Sequence, residues 1–132
     1  MKKPYWMRSA LAVVAGFSSV AVLSLATDEL MHLLQVYPPW GEPMPDPGLN
    51  LLALSYRIVY TIVGGYLTAS LAPKAPSRHV LVVGIAGLTA GSAGAIATLP
   101  MALGPNWYPI AIAVTAFPCV WLGGVLHRIR HA

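Results

Sequence analysis

Charge is scarce in this sequence. Only 4 of 132 residues are acidic and 8 are Lys or Arg, so 9% of the chain is charged, against roughly 25% in an ordinary soluble domain. A water-facing globular fold of this size would lack the polar surface to cover itself. Disorder is excluded by the same numbers, since it requires low hydrophobicity and high net charge. Cysteine is nearly absent. With Cys119 alone, a disulfide framework, a CxxC pair and a zinc knuckle are all impossible within one chain. Cys119 lies in an apolar run and reads as a small buried residue rather than a reactive thiol. Strict polar–apolar alternation is also missing, which argues against a transmembrane barrel. The length fits one domain and leaves no room for an enzyme built of separate modules.

Apolar residues make up 57% of the chain. They gather in four runs, at about 9–36, 49–72, 80–103 and 110–127. A membrane span needs about 20 apolar residues. The second and third runs fit well, the fourth is near the short limit, and the first is long enough to emerge from Asp28 onward. With no water to satisfy the backbone, such segments must be helices. The expected fold is an all-α, four-helix transmembrane bundle in a single domain, 1–132. Its connections are short. Tyr37 to Gly48 holds five prolines, which remove donors and fix φ, so that stretch reads as non-helical. Short connections make consecutive helices antiparallel neighbours.

The few charges are sorted. Lys2, Lys3 and Arg8 precede the first run, Lys74 and Arg78 lie between the second and third, and Arg128 and Arg130 follow the fourth. Asp28, Glu29, Glu42 and Asp46, all the acids, fall toward the opposite side. The excess of Lys and Arg marks the cytoplasmic side, placing both termini there and the hairpin tips outside. Tyr37, Trp40, Trp107 and Tyr108 would form an outer aromatic belt, and Tyr5 and Trp6 an inner one. A basic balance would otherwise suggest nucleic acid, but these residues form no stripe, and the expected partner is the lipid bilayer. A rival reading of the start is a secretory signal cleaved after Ser24-Leu25-Ala26. No helix breaker precedes that site, and the apolar pattern continues through Leu30, Met31, Leu33 and Leu34.

Arg57 breaks the segregation. It lies seven residues past Asn50, about 10 Å along a helix axis, where an unpaired charge costs about 2.5–3.5 kcal/mol. Asp28 is about 28 Å along helix 1 from Ser9, a depth Arg57 reaches by snorkelling. An Arg57 pair with Asp28 or Glu29 is therefore expected, either as a staple between helices 1 and 2 or as part of an ion- or ligand-handling site. His32 lies four residues after Asp28 and three after Glu29, so it shares a face with one of them. Glu29-x-x-His32 also occurs in carboxylate-bridged di-iron bundles, but those need two such motifs and two further glutamates. No metal and no cofactor is expected. In helix 2, Arg57, Tyr60, Thr61, Gly64 and Thr68 form one face at three- and four-residue spacing. That face should point into the bundle, to pack or to line an outward cavity.

Glycines mark close packing. Gly84, Gly87, Gly91 and Gly94 stripe helix 3, with Gly87-x-x-x-Gly91 at the spacing that lets two backbones approach. The neighbour is either another helix of this chain, a second copy, or another membrane subunit. Gly64-Gly65 in helix 2 matches Gly123-Gly124 in helix 4 within similar sequences, a faint internal repeat of the kind two parallel hairpins would show. Pro118 falls inside helix 4, where it removes a backbone bond and kinks the helix.

Nearly the whole chain resembles a class of small four-span bacterial inner-membrane proteins. The resemblance is carried by Thr27-Asp28-Glu29-Leu30, Tyr37-Pro38-Pro39-Trp40-Gly41, Tyr56-Arg57-Ile58-Val59-Tyr60 and Gly64-Gly65-Tyr66. It continues in Trp107-Tyr108-Pro109 and Pro118-Cys119-Val120-Trp121-Leu122-Gly123-Gly124. It implies a multi-pass protein of the bacterial inner membrane and carries no activity with it. Small multidrug transporters are similar in size and span number, but they use a glutamate deep in helix 1 and many insert in both orientations. Here the acids of helix 1 lie near its outer end and the charge bias dictates one topology. Neither a nucleophile–base pair nor a cofactor motif is visible. The expected function is thus a non-enzymatic assembly or accessory subunit, with a small transporter or channel holding an outward polar cavity around Arg57 as the alternative.

Overall fold

The computed structural model describes residues 4–131. Four helices run through it: α1 (Tyr5–Leu33), α2 (Pro47–Leu71), α3 (Pro76–Thr98) and α4 (Trp107–Arg130), with a single 3₁₀ turn at Leu99–Met101. At 1.5 Å per residue each is at least about 34 Å long, enough to cross a hydrocarbon core of about 30 Å. All four are long and apolar enough to span a membrane, and no strand occurs among the described residues. The chain is a multi-pass, all-α bundle.

The helix ends differ from the sequence reading by a few residues, for local reasons. Pro4 caps α1 four residues earlier than expected. Gln35, at φ 61°, then turns the chain back so that the Val36 and Tyr37 amides reach the Met31 carbonyl. The helix therefore stops at Leu33 instead of Val36. Pro47 and Gly48, read as loop, are the first turn of α2, where proline's missing N–H costs nothing. Asp46 caps that turn by accepting from the Gly48 amide at 2.8 Å. α3 likewise starts on a proline, Pro76, not Val80. Pro100 ends its α-helical geometry at Thr98, short of Leu103. α4 takes in Trp107-Tyr108-Pro109, with Pro109 in the first turn, and runs on to Arg130.

The neighbours run in the order α1, α2, α4, α3, and α1 and α3 touch each other far less. α2 and α4 are the central parallel pair, and each carries the other helix of its own hairpin on its flank. The start of α1, the end of α4 and the α2–α3 turn lie at one end of the bundle. There the His79 ring bonds the Ser9 hydroxyl at 2.8 Å, Lys74 sits over the Tyr5 ring at 5.0 Å, and Tyr66 meets His127 edge-on. The two hairpin tips meet at the other end, where the Met44 amide donates to the Leu103 carbonyl. Arg8, Lys74, Arg78, Arg128 and Arg130 are thereby gathered at one end and every acid at the other. Lys2 and Lys3 lie outside the described residues.

The interior inverts the pattern of a soluble protein. Leu11, Val14, Val22, Leu25, Val82, Ile85, Ile96 and Val114 face outward, while Ser24, Asp28, Asn50 and Thr68 are buried. Lipid imposes no penalty on exposed aliphatic side chains, so burial is reserved for small residues and for polar groups that need partners. Near the end bearing the termini the helices are in van der Waals contact through Ala69, Val80, Val83 and Val120, with Val13 packed against them. A Cβ on Gly65 would collide with the Val120 backbone, and one on Gly123 with the Ile62 carbonyl and the Tyr66 amide. α2 and α4 therefore cross backbone to backbone. α1 crosses α2 in the same way: a Cβ on Gly64 would lie 2.9 Å from the Gly16 carbonyl.

The remaining glycines resolve the question left by the sequence. Gly84 faces Phe117, a Cβ on Gly87 would reach Ala116 at 3.5 Å, and one on Gly91 would lie 2.9 Å from Ala113 Cα. The close neighbour of α3 is α4 of the same chain. Gly94, expected to pack, faces open space. The paired glycines do not follow an internal repeat. Gly64 faces α1 and Gly65 faces α4, whereas Gly123 faces α2 and Gly124 faces Val80 of α3. The order of roles is reversed between the two pairs, so sequence equivalence and structural equivalence disagree.

Candidate functional site

The helices pack tightly near the termini and spread apart toward the hairpin tips. In that half the helices enclose a cavity of about 780 Å³, within the roughly 300–1,000 Å³ usual for ligand pockets. Each helix contributes one face: Phe17, Ala21, Ser24 and Asp28 of α1, and Asn50, Ala53, Arg57 and Thr61 of α2. Ala90, Gly94 and Thr98 of α3 and Tyr108, Ile112 and Thr115 of α4 complete the wall. The spacings are three or four residues, as one helix face requires. Threonine hydroxyls on the wall are neutralised by their own helices. Thr61 donates to the Arg57 carbonyl at 2.6 Å and Thr115 to the Ala111 carbonyl at 2.7 Å. The wall is therefore apolar except at one pole.

That pole is the ion pair. Arg57 Nη2 donates to Asp28 Oδ2, and the Tyr56 hydroxyl donates to Asp28 Oδ1. Because the Tyr56 proton is committed to the carboxylate, the Tyr37 hydroxyl, 3.0 Å away, must donate to the Tyr56 oxygen. The proton order Tyr37 to Tyr56 to Asp28 is thus fixed by donor inventory. Tyr37 is buried at the start of the loop. Burial pushes its phenol above the usual range and the Asp28 charge adds to this, against the Tyr56 hydrogen bond and Arg57. Tyr37 therefore holds its proton at neutral pH, as the chain of donors requires. Arg57 Nη1 makes only long contacts, 3.4 Å each, to the Ala53 carbonyl and the Tyr56 hydroxyl. Tyr108 of α4 lines the same cavity as the guanidinium. Removing the Tyr56 hydroxyl takes a donor from a buried carboxylate. Tyr56→Phe is expected to cost about 1.5–3 kcal/mol of stability, measured by denaturant titration in detergent.

Of the sequence-derived cluster, Asp28 and Arg57 come together as expected. Glu29 does not join them; it turns outward and accepts from Trp40 Nε1 at 3.0 Å. His32 shares no hydrogen bond with either acid. Its Nδ1 donates to the Pro38 carbonyl at 2.7 Å and its ring stacks on Trp40 at 3.8 Å. These contacts strap the proline-rich loop down onto α1, and the loop roofs the cavity. The loop is anchored on α2 by Asn50, whose amide donates to the Met44 and Asp46 carbonyls, each at 2.8 Å. Tyr60 faces α1, sharing a hydrogen bond with Thr27 at 2.8 Å, and Thr61 lines the cavity. Gly64 and Thr68 complete the same stripe against Gly16.

Several site residues had no weight in the sequence. Tyr37 and Tyr108 read as interface anchors, Ser24 as a cleavage-site residue, and Tyr56 and Asn50 as incidental. Two signals were available. Ser24 and Asp28 are four apart, and Asn50, Ala53, Arg57 and Thr61 fall at three- and four-residue intervals, each set forming a polar or small stripe on one helix face. Among the described residues, no group of three or more His, Cys, Asp or Glu side chains comes together as a metal site. No family model, no curated protein and no solved structure matches the chain, so its function rests on the geometry of this site.

Proposed function

We propose that this chain is a small-molecule-binding protein of a bacterial inner membrane, transporter-like in form, with both termini in the cytoplasm and its cavity in the outer half, beneath the hairpin tips. The observation that carries this reading is the cavity of about 780 Å³ around the Asp28–Arg57 pair, closed toward the termini by the packed valines. A pair serving only as a staple would pack against its neighbours. Here it stands at the wall of a space large enough for a ligand, and Arg57 keeps N–H groups that its protein partners hold only at 3.4 Å. The orientation is supported by the basic residues gathered at the terminal end. No catalytic step is proposed at this site: the ion pair is engaged internally.

The accessory-subunit reading relied on the helix 3 glycines as an assembly surface. Gly84, Gly87 and Gly91 face α4 instead, which removes that support. Gly94 offers a direct test of the cavity. A Cβ there meets nothing within 4 Å, so a large side chain enters empty space instead of a packed interface. Gly94→Trp is expected to leave the protein folded and to abolish ligand uptake and binding in proteoliposomes, while Gly94→Ala stays like the parent. Unchanged binding in a folded Gly94→Trp protein would refute the cavity as the site.

A further inference from the structure

The donors and charges left over at the polar pole say what kind of molecule fits it. The charges of Asp28 and Arg57 cancel within the pair. Another ionic group brought into this space would be unpaired at low dielectric, which is strongly unfavourable. The head group is therefore uncharged. Both Asp28 oxygens are already engaged, one by Tyr56 and one by Arg57, so the carboxylate has little left to offer a donor. What remains nearby is donors. Tyr108 lines the cavity together with Arg57, and a guanidinium cannot accept, so the Tyr108 proton is left for a ligand. The Ser24 hydroxyl, one turn along α1 from Asp28, lies beside the cavity in a residue only 7% exposed and has no hydrogen-bond partner among the described residues. A buried hydroxyl without a partner is unfavourable, and an incoming acceptor relieves it.

We infer that the cavity takes an uncharged, lipid-soluble carbonyl compound, its oxygen received by Tyr108, Ser24 and the spare Arg57 N–H groups and its apolar body laid along the rest of the wall. This deepens the binding reading and rests on it. Long-chain esters and quinones share the required chemistry: acceptor oxygens, no charge and an apolar tail.

The test compares probes with one chain length, added to the full-length protein in nanodiscs and read by calorimetry against the Gly94→Trp background. Methyl decanoate and a decyl-substituted benzoquinone represent the two carbonyl sources. Decanoate and decylamine carry the charges, and decylbenzene lacks a head. At least one carbonyl probe is expected to bind about tenfold or more tightly than decanoate and decylamine, and the better of the two names the source. Tyr108→Phe and Ser24→Ala, which remove single hydroxyls without altering shape much, should each weaken it about two- to tenfold, the equivalent of one net hydrogen bond of 0.5–1.5 kcal/mol. Decylbenzene affinity should not change in either variant. Decanoate or decylamine binding as tightly as the carbonyl probes would overturn the uncharged-head inference and leave the cavity reading standing. So would carbonyl binding that is unmoved in both variants. If no probe, decylbenzene included, bound above the Gly94→Trp background, the cavity reading itself would fail.

Discussion

Asp28→Ala and Arg57→Ala should each destabilise the protein by about 3–5 kcal/mol, and the double variant by clearly less than the sum. Removing one member of a buried pair leaves the other charge uncompensated, which is the expensive outcome. Removing both leaves only lost packing. The magnitude depends on burial, and here the side chains are only 20% exposed for Arg57 and 11% for Asp28. Denaturation of the four proteins in one detergent closes the double-mutant cycle. Additive losses would show that the two side chains are not energetically coupled, and the assignment of a neutral polar pole would go with them. The cycle also separates structure from binding, since a double variant that folds should still have lost affinity for a carbonyl ligand through the missing Arg57 donors.

The second large effect lies at the opposite end of the bundle. Gly65→Leu and Gly123→Leu are each expected to cost more than the 1–3 kcal/mol of ordinary overpacking. The atoms in the way are backbone: the Val120 carbonyl in one case, the Ile62 carbonyl and Tyr66 amide in the other. A flexible side chain could swing aside, but a helix backbone can yield only if α2 and α4 separate as bodies. Because each hairpin is attached through this crossing, separation would open the valine core around Val80, Val83 and Val120. Thermal denaturation followed by circular dichroism measures the loss. Gly87→Leu, where the nearest atom to an added Cβ is the Ala116 methyl at 3.5 Å, should be milder than either. Equal effects at all three positions would mean that the crossing is looser than its geometry states.

Much of the architecture was legible because few physical quantities decide it. Four apolar runs of spanning length require four helices, since no other structure satisfies its backbone in lipid. Prolines at 47, 76 and 100 shifted the ends of those helices by a few residues without changing their number. The Asp28–Arg57 contact was also legible, because a lone cation in an apolar run must find an anion at a reachable depth. What could not be read was the choice between Asp28 and Glu29, adjacent acids about 100° apart around α1. That choice depends on which face of α1 meets α2, and Gly16 and Gly64 set it by admitting close approach on one side only. The tyrosines were misplaced for a related reason. Interfacial tyrosine and cavity tyrosine look alike in sequence, and Tyr37 and Tyr108 came to share a cavity with the ion pair only when their elements packed around it.

Sequence alone determined the solvent, the number of spans, the sorting of charge to the two ends and the need for Arg57 to have a partner. All of these follow from the transfer of groups between water and hydrocarbon, which depends on residue type and little else. Tertiary structure decided the neighbour order α1, α2, α4, α3, the assignment of the α3 glycines to α4, and the opening of one half of the bundle into a cavity. Those outcomes depend on which small residues face each other across helices distant in the chain, and a space between helices leaves no mark in the sequence of any one of them.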